Sequence, residues 1–287
     1  MIVVIGSINT DLITTCEHFP KVGETIIGSD FKTLPGGKGA NQAVCAAKLG
    51  EKVSFIGCLG NDSNGGFSLE NFALNNINTD GIEIIENIPS GVAQITVAEN
   101  DNSIIVVPGA NAELTKDVVD KNMSILEKAK IVLLQLEVPV ETVEYVINIC
   151  NDKGIKVILN PAPAQKLNDN IIEKVDYLTP NETELEIIFE KDKESILKQY
   201  PNKVIMTAGG DGVFYHDGES LINIPSEKVN VVDTTGAGDT FNGALAVGII
   251  NGIELEQSIR NANKIASLAV QELGAQTAMP HDYKVII

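Results

Sequence analysis

The sequence feature that most constrains the fold is a glycine-rich turn that opens directly into a helix, DTTGAGDTFNG at residues 233–243. Apolar residues at helical spacing continue through Ile250, so the pattern predicts a helix over Thr240–Ile250. Small residues let the backbone N–H groups of 236–238 turn toward one point, where the helix start adds unpaired donors and the positive end of its dipole. The segment predicts an anion-binding site, although Asp239 as a helix cap beside a tight turn would have the same sequence.

Short apolar runs alternate with helical patterns along most of the chain. The predicted buried strands are Ile2–Gly6, Val53–Cys58, Ile131–Leu136, Lys156–Asn160 and Asp176–Thr179. The other predicted helices are Ala40–Leu49, Asn64–Asn75, Pro139–Asp152, Glu182–Phe189 and Leu255–Leu273. Repeated β–α units of this kind predict an α/β fold with a three-layer, doubly wound, mostly parallel sheet, formed as a single domain over residues 1–287.

Some segments interrupt this alternation. A mixed strand at Thr25–Phe31 and a hairpin of Val92–Ala98 with Ile104–Pro108, turning at 99–103, predict a small separate β-sheet. We interpret this sheet, built from segments near 12–34 and 91–108, as a lid over the ligand site. An unpaired apolar face on the lid favours burial against a second copy, which predicts a homodimer through the lid.

A second hairpin is predicted late in the chain. The strands Gly212–His216 and Ser220–Ile224 are joined by Asp217 and Gly218, a typical turn pair. We expect this hairpin to add antiparallel strands to the otherwise parallel main sheet.

The charge balance limits the possible partners. The 287-residue chain has 39 acidic and 21 basic residues and a net charge of −18, which argues against nucleic acid and anionic membranes. Its four cysteines form no CxxC pair and predict reduced, buried thiols. The apolar run at the start is too short for a signal segment or a membrane span, so we expect a cytoplasmic protein.

Polar residues follow several of the predicted strands, at the edge where open α/β sheets bind ligands. They are Asn9, Asp11, Glu137, Asn160, Asn181, Glu184 and Thr207, together with Asp239. Asn9 and Asp11 are suited to bind hydroxyl groups or, alternatively, to form an Asx turn. Asn181 and Glu184 share one helical face, so they suit a hydrated Mg²⁺ ion, or alternatively a capping pair.

Six sequence blocks occur together in a recognisable order. They are GSINTD at 6–11, PGGKGANQA at 35–43, LLQLEVP at 133–139, NPAPA at 160–164, TPNETE at 179–184 and DTTGAGDTFNGAL at 233–245, with GAQ at 274–276 after them. In this the chain resembles the ribokinase-like family of carbohydrate and nucleoside kinases over nearly its whole length. The resemblance implies transfer of the γ-phosphoryl group of ATP to a sugar hydroxyl, for which the 5-hydroxyl of ribose is the first expectation.

The resemblance also implies roles for individual residues. Asp239 would be the catalytic base, and the amides of Gly236, Ala237 and Gly238 would stabilise the charge on the transferred group. The implied sugar-binding residues are Asn9, Asp11, Gly37, Lys38, Asn41, Glu137 and Asp239. The implied ATP-binding residues are Asn181, Thr207, Gly209, Gly212, Gly238 and Asn263.

Two cations belong to the same implied site. Glu184 would hold Mg²⁺ through water, and a monovalent cation, usually K⁺, would lie behind the anion-binding turn. The implied K⁺ ligands are Asp233, Thr235, Ala269, Glu272 and Gly274. This chain has Ala278 where ribokinases often have Ser, which removes one side-chain oxygen from the expected K⁺ site.

Four alternatives remain on the sequence alone. The acceptor is another sugar, a phosphosugar or a nucleoside, or the chain is a non-catalytic sugar-binding regulator on the same fold. A phosphosugar kinase needs additional basic residues, whereas Lys38 is the only one in the motifs. Asp239 and the intact GAGD segment favour catalysis. A dinucleotide-binding oxidoreductase is disfavoured because no GxGxxG follows the first strand, and no GxSxG or HExxH motif indicates a hydrolase.

Overall fold

The computed structural model describes residues 1–99 and 101–282. The strands are β1 Ile2–Ile5, β2 Asn9–Thr15, β3 Asp30–Gly36, β4 Val53–Gly60, β5 Asn78–Ile85, β6 Gly91–Ala98, β7 Asp101–Val107, β8 Ile131–Leu134, β9 Lys156–Leu159, β10 Tyr177–Leu178, β11 Ile205–Thr207, β12 Val213–His216 and β13 Leu221–Ile224. The α-helices are α1 Lys38–Lys48, α2 Ser63–Leu74, α3 Lys116–Lys121, α4 Met123–Leu126, α5 Val140–Lys153, α6 Asp169–Lys174, α7 Glu182–Phe189, α8 Lys193–Gln199, α9 Ala237–Ile250 and α10 Leu255–Ala269.

The main sheet has six parallel strands in the order β10-β9-β8-β1-β4-β5. β1 lies between β8 and β4, and all four of its residues are buried, as expected for a continuous apolar run with both faces covered. Strand β5 was not predicted, because it begins with three polar residues and a glycine, which hide its apolar second half. The predicted parallel α/β sheet is confirmed.

Two apolar cores lie on opposite faces of this sheet. One contains residues of α1, α9 and α10, including Val44, Phe241 and Ile259. The other contains residues of α3, α5, α6 and α7, including Val143 and Ile171. Helices therefore cover both faces, and the predicted three-layer arrangement is confirmed.

A separate four-stranded sheet has the order β3-β2-β6-β7, with β2 and β6 parallel and the outer pairs antiparallel. The predicted hairpin corresponds to β6 and β7. β6 ends at Ala98 as expected, whereas β7 begins at Asp101, three residues into the expected turn. Asn100 of that turn lies outside the described residues. The predicted strand Thr25–Phe31 is wrong. Pairing with β2 begins only at Asp30, opposite Thr15, and Ile27 before it is 91% exposed in a loop.

Strand β2 excludes the Asx turn that the sequence left open for Asn9 and Asp11. Asn9 and Asp11 lie on β2, opposite Gly36 and Leu34 of β3, so the four-stranded sheet itself carries two of the predicted site residues. Their polarity concealed the strand, since apolar periodicity is the main sequence signal for one.

The late hairpin is confirmed as antiparallel β12 and β13, but its predicted place in the main sheet is wrong. It forms a three-stranded sheet with β11, in the order β11-β12-β13. Parallel bridges from Leu178 to Val204 and from Asn181 to Thr207 join this sheet to the end of the main one. The two sheets therefore meet at the edge where the polar site residues gather.

The last helix ends earlier than predicted. α10 stops at Ala269 rather than Leu273, because the carbonyl of Val270 accepts the N–H groups of Val232 and Asp233 instead of continuing the helix. This contact fixes the segment after α10 against the turn that precedes α9. Across the residues that the structure describes, no helix combines the length and the apolar character needed to span a membrane.

Candidate active site

Two adjoining cavities lie at the start of α9. One, of about 220 Å³, is mostly apolar; the other, of about 210 Å³, is polar. Both are lined by Thr207, Thr234, Ala237 and Gly238, so they meet at the predicted anion-binding turn. The arrangement suits a ligand with an apolar part and an anionic part, which would meet at the first turn of the helix.

The turn requires glycine at position 236 for two reasons. Gly236 is the N-cap of α9 with φ +76°, a left-handed conformation that glycine adopts without strain. A Cβ there would also lie 2.7 Å from the Cβ of Ala275. A Cβ at Gly238, by contrast, would meet nothing within 4 Å, because this residue borders the open cavities.

The prediction that the glycine-rich turn opens directly into a helix is therefore confirmed. Helix α9 begins at Ala237, three residues earlier than expected. The N–H of Ala237 donates to the carbonyl of Thr234 at 3.2 Å, and that of Thr240 donates to the carbonyl of Gly236 at 2.8 Å. The amides of Gly238 and Asp239 lie between them in the first turn, where helix amides have no intrahelical acceptor.

Asp239 is buried, with 6% of its surface exposed, and lines the polar cavity. Its Oδ2 accepts from Nδ2 of Asn41 at 2.8 Å, and its Oδ1 accepts from Nε2 of Gln42 at 3.1 Å. Burial raises the pKa of Asp239, while the charge of Lys38 and the two amide donors act in the opposite direction. A carboxylate with a raised pKa beside a cavity suits a general base.

Lys38 begins α1 and lines the same cavity. Burial lowers the pKa of its ammonium group, but the charges of Asp239, Glu137 and Glu184 outweigh burial, and the net pKa is raised. Lys38 therefore carries a positive charge at neutral pH, among three carboxylates. Its ammonium group can bind a phosphate that enters the polar cavity.

A second group of predicted residues surrounds the junction of β2, β3 and α1. Oε2 of Glu137 accepts from Oγ of Ser7 at 2.5 Å and from the N–H of Lys38 at 3.0 Å. A Cβ at Gly36 would overlap the carboxylate of Asp11, which explains the glycine there. Burial first, and then the charges of Glu137 and Asp239, raise the pKa of Asp11 to about 7.

Two further residues of this group, Asn9 and Gly37, are positioned by Asn111 and by the backbone after β1. Oδ1 of Asn9 accepts from Nδ2 of Asn111 at 2.8 Å, and the same amide group of Asn111 bonds both backbone groups of Ile8. Gly37, at φ +89°, lies against the backbone of Ile8 and Asn9. Asn111 follows β7 and was not identified from the sequence, because nothing in its local pattern indicates a contact 103 residues away.

Asn181 and Glu184 form a capping box at the start of α7. The side chain of Asn181 accepts the N–H of Glu184, and Oε2 of Glu184 accepts the N–H of Asn181, both at 2.8 Å. The capping pair, which the sequence allowed as the alternative to a Mg²⁺ site, is therefore present. Both residues also line the polar cavity. Burial raises the pKa of Glu184, against the effects of the Asn181 N–H and Lys38.

Glu184 fits a cation held through water. In the part of the chain that the structure describes, no three His, Cys, Asp or Glu side chains cluster as a metal site, so no all-protein cage is present there. Mg²⁺ is commonly bound by one or two carboxylates with substrate phosphates and waters. One carboxylate at the edge of a polar cavity satisfies that requirement.

The apolar cavity is lined by five of the predicted nucleotide-binding residues, Thr207, Gly209, Gly212, Gly238 and Asn263. Asn263 has a structural role as well, since its Nδ2 donates to the carbonyl of Pro225 at 3.0 Å. The walls are completed by Val213, Val229, Val231, Phe241 and Val270, none of which was predicted as a site residue. Their apolar character indicates only burial in the sequence, not the surface of a cavity.

The predicted K⁺ residues lie on two segments that the structure joins. Oδ1 of Asp233 accepts from the N–H and hydroxyl of Thr235, and Oδ2 accepts from the N–H of Gly274 at 2.8 Å. These bonds lower the pKa of Asp233, against the opposing and largest effect of burial. Carboxylate, hydroxyl and carbonyl oxygens of this kind fit a hard monovalent cation, and the buried Ala278 adds no side-chain oxygen.

Comparison with known proteins gives one consistent result. The profile of the pfkB family of carbohydrate kinases matches residues 1–282. The chain is 47% identical to ribokinase of Bacillus subtilis over 97% of its own length and 96% of that protein, and 45% identical to ribokinase of Lactococcus lactis over 96% and 93%. The solved structure of Arabidopsis thaliana ribokinase complexed with ribose and ATP covers 99% of this chain, and 96% of that structure is matched, with 36% identity and a TM-score of 0.89.

Proposed function

Because this chain belongs to the pfkB family of carbohydrate kinases, we propose that it transfers the γ-phosphoryl group of ATP to the 5-hydroxyl of D-ribose. The products are ribose 5-phosphate and ADP. The activity named for the two bacterial relatives supports ribose as the acceptor, and the Arabidopsis complex supports both substrates. The observation that carries the proposal is Asp239, buried in the first turn of α9 beside the residues that both cavities share.

In this mechanism Asp239 accepts the proton of the 5-hydroxyl as the sugar oxygen attacks the γ-phosphorus. The bond between the γ-phosphorus and the bridging oxygen breaks, and ADP leaves. The N–H groups of Gly236, Ala237 and Gly238, together with Lys38, stabilise the charge on the transferred group, for which the Ala237 N–H leaves the carbonyl of Thr234. The negative field of several carboxylates makes these donors necessary, since phosphate would otherwise be repelled.

The ribose binds on the side of β2, β3 and α1. The carboxylate of Asp11 accepts hydrogen bonds from two sugar hydroxyls at once, and Asn9, Glu137 and Asn41 bind other hydroxyls of the sugar. Lys38 and the tightly packed Gly37 complete that wall. A buried carboxylate left without its hydroxyl partners is costly, so such a site discriminates against sugars that lack one of them.

The adenosine part of ATP binds in the apolar cavity, next to Thr207, Gly209, Gly212 and Asn263. Its phosphates extend past Asn181 and Gly238 to the start of α9. The four-stranded sheet, which carries Asn9 and Asp11, serves as the lid. Closure of the lid over bound sugar would exclude water from the transfer.

Two cations complete the proposed site. Glu184 would hold Mg²⁺ through water, and the ion would neutralise charge on the phosphates. Asp233, Thr235 and the carbonyls of Ala269, Glu272 and Gly274 would hold K⁺ behind the turn. Because the Gly274 N–H already bonds Asp233, and Ala275 packs on Gly236, a cation there would stabilise the turn from behind.

We further propose a homodimer that pairs through the four-stranded sheet, and a cytoplasmic location. All four cysteines are free and buried, which supports a reducing compartment. Of the described residues that line the polar cavity, Lys38 alone is basic, which disfavours a phosphosugar as the acceptor. A non-catalytic sugar-binding role is disfavoured by Asp239.

The proposal is tested by ADP release from MgATP against D-ribose, deoxyribose, fructose, fructose 6-phosphate, adenosine and pseudouridine, with and without K⁺. Ribose should give the highest kcat/KM. The variant Asp239→Asn keeps the shape of the side chain but removes the base, so we expect kcat on ribose to fall by at least about a hundredfold with KM little changed.

Each remaining outcome has a definite meaning. Turnover of another acceptor, lost in the same variant, would retain the mechanism and reject ribose. Binding of ribose by calorimetry with no turnover on any acceptor would favour the non-catalytic regulator. Full activity of Asp239→Asn would reject Asp239 as the base.

A further inference from the structure

Two chains of side-chain amides end on the two carboxylate oxygens of Asp239. One chain reaches Oδ2 and the other reaches Oδ1. Their outer members line neither of the two cavities at the start of α9. The outer members, Gln276 and Gln135, therefore act on Asp239 only through Asn41 and Gln42, which contact it directly.

The first chain crosses three segments of the fold. Nδ2 of Asn71, on α2, donates to Oε1 of Gln276 at 2.7 Å. Nε2 of Gln276, beyond α10, donates to Oδ1 of Asn41 at 2.9 Å, and Nδ2 of Asn41 donates to Oδ2 of Asp239 at 2.8 Å. Gln276 is 4% exposed and Asn41 6%, so water competes little for these bonds.

The second chain begins at Gln135, the residue that follows β8. Nε2 of Gln135 donates to Oε1 of Gln42 at 2.7 Å. Nε2 of Gln42 then donates to Oδ1 of Asp239 at 3.1 Å and to Oδ1 of Asn160 at 3.2 Å. Gln135 and Gln42 are both fully buried.

The direction of both chains is set by the carboxylate. An ionised carboxylate only accepts hydrogen bonds, so Asn41 and Gln42 must turn their NH₂ groups toward it. Their carbonyl oxygens then face Gln276 and Gln135, which must donate in turn. If either outer glutamine is lost, the inner amide keeps Asp239 as its acceptor, but its carbonyl oxygen loses its donor, so its NH₂ group is held less firmly toward Asp239.

Gln276 also lies in a segment that contacts the rest of the site. Two residues before it, the N–H of Gly274 donates to Asp233; one residue before it, Ala275 packs against Gly236. Nζ of Lys48 donates to the carbonyl of Gln276 at 2.7 Å and fixes its backbone. The segment thus touches the anion-binding turn and, through Asn41, the base.

We propose that Gln276 and Gln135 are positioning residues that act through Asn41 and Gln42 to hold the two oxygens of Asp239 as oriented hydrogen-bond acceptors. The inference rests on the proposed role of Asp239 as the base. Its consequence is that residues outside the cavities control both the ionisation of the base and the direction in which it accepts the proton.

The test replaces each outer glutamine by methionine, which has similar length and no charge. We expect Gln276→Met and Gln135→Met each to lower the single-turnover rate on ribose by about tenfold, the effect of weakening one hydrogen bond to a charged group. The KM for ribose should change by less than about threefold. The acidic limb of the rate profile should move to higher pH, because the ionised form of Asp239 loses a donor.

Gln257→Met is the control for the substitution itself, made at an exposed glutamine. Gln257 lies on α10, and its Nε2 donates to Oδ1 of Asn261 at 2.8 Å, also an amide-to-amide bond. It lines a different cavity from the one at Asp239. We expect its rate and pH profile to equal those of the parent chain.

A double-mutant cycle tests whether the effect passes through the inner amide. In an Asn41→Ala background, Gln276→Met should cause no further shift of the pH profile, since the connecting group is gone. Additive shifts would reject the proposed path. A fall in rate with an unmoved pH profile in both methionine variants would indicate a purely structural role and overturn the proposal.

One measurement does not depend on the acceptor. The carboxyl group of Asp239 can be titrated by ¹³C NMR in chain labelled at aspartate, with Asp239→Asn used to assign the signal. Gln276→Met should raise the pKa of Asp239 relative to the parent and to Gln257→Met; an unchanged pKa would reject the inference. If the parent chain fails to phosphorylate ribose, the proposed function fails alone, and this titration still decides the inference.

Discussion

Asp11 is the residue whose ionisation should be most visible in sugar binding. Burial, followed by the charges of Glu137 and Asp239, raises its pKa to about 7. As the pH falls through that value, the carboxylate gains a proton and can no longer accept two hydroxyls at once. We expect ribose affinity, measured by calorimetry without ATP, to fall between pH 8.5 and 6, approaching tenfold per pH unit below about 7.

The variant Asp11→Asn supplies the control, because an amide does not titrate. It should bind ribose more weakly at pH 8 and lose the pH dependence between 6 and 8.5. Retention of the same dependence in this variant would assign it to another group.

The same pKa shift predicts a change in stability with a definite sign. Folding raises the pKa of this acid from 3.8, so ionised Asp11 is less favourable in the folded chain than in the unfolded one. The folded state therefore loses stability as pH rises from about 4 to about 7. Asp11→Asn should therefore increase the Tm more at pH 8 than at pH 5. An equal increase in Tm at the two pH values would contradict the raised pKa of Asp11.

Two glycines of the anion-binding turn should respond differently to alanine. A methyl group at Gly238 meets nothing within 4 Å and would extend toward the cavities, whereas one at Gly236 meets Ala275 and requires φ +76°. Gly238→Ala should lower kcat/KM by about a hundredfold, because the methyl group obstructs donors to the transferred phosphate. Gly236→Ala should lower the free energy of unfolding by about 1–2 kcal/mol.

Thermal unfolding and kinetics on the two variants together check this contrast. Gly238→Ala should keep the parent Tm within about 2 °C, since it introduces neither strain nor overlap. A large loss of stability in Gly238→Ala, or none in Gly236→Ala, would contradict the packing described for the turn.

At the scale of elements, the sequence predicted what continuous apolar runs encode. β1, β4, β8, β9 and β10 are such runs, and each was predicted close to its observed position. Strands β2 and β5 were missed because acidic and polar residues interrupt their apolar pattern. The segment Thr25–Phe31 has the composition of a strand, but only its last two residues pair with β2. Strand pairing depends on distant segments, which local composition does not report.

In the candidate active site, too, locally encoded features were predicted and contacts between distant segments were not. The first turn of α9, with its glycines and Asp239, is encoded within a few residues and was predicted. The contacts that orient Asp239 come from α1 and from Gln276, and the Gln276–Asn41 bond spans 235 residues. Such contacts follow from the packing of α1 against α9 and have no local sequence signal.

For the whole molecule, the net charge of −18 sets a condition on self-association. Two such chains repel each other, so a dimer requires an apolar interface that outweighs the repulsion. The four-stranded sheet offers one, since Phe31, Ile104, Ile105, Val106 and Val107 are each at least 44% exposed. High salt should favour the dimer by screening the repulsion.

The dimer prediction is tested on β7, the edge strand that carries four of these five side chains. Ile105 is 65% exposed on β7, and Ile105→Asp would place a charge in the apolar interface, where burial without a partner is costly. By light scattering at micromolar concentration, the parent should have twice the 30.6 kDa chain mass and the variant the single mass. Leu221→Asp, on β13 of another sheet and 41% exposed, should remain dimeric. A monomeric parent would reject the dimer, and a dimeric Ile105→Asp would place its interface on a different surface.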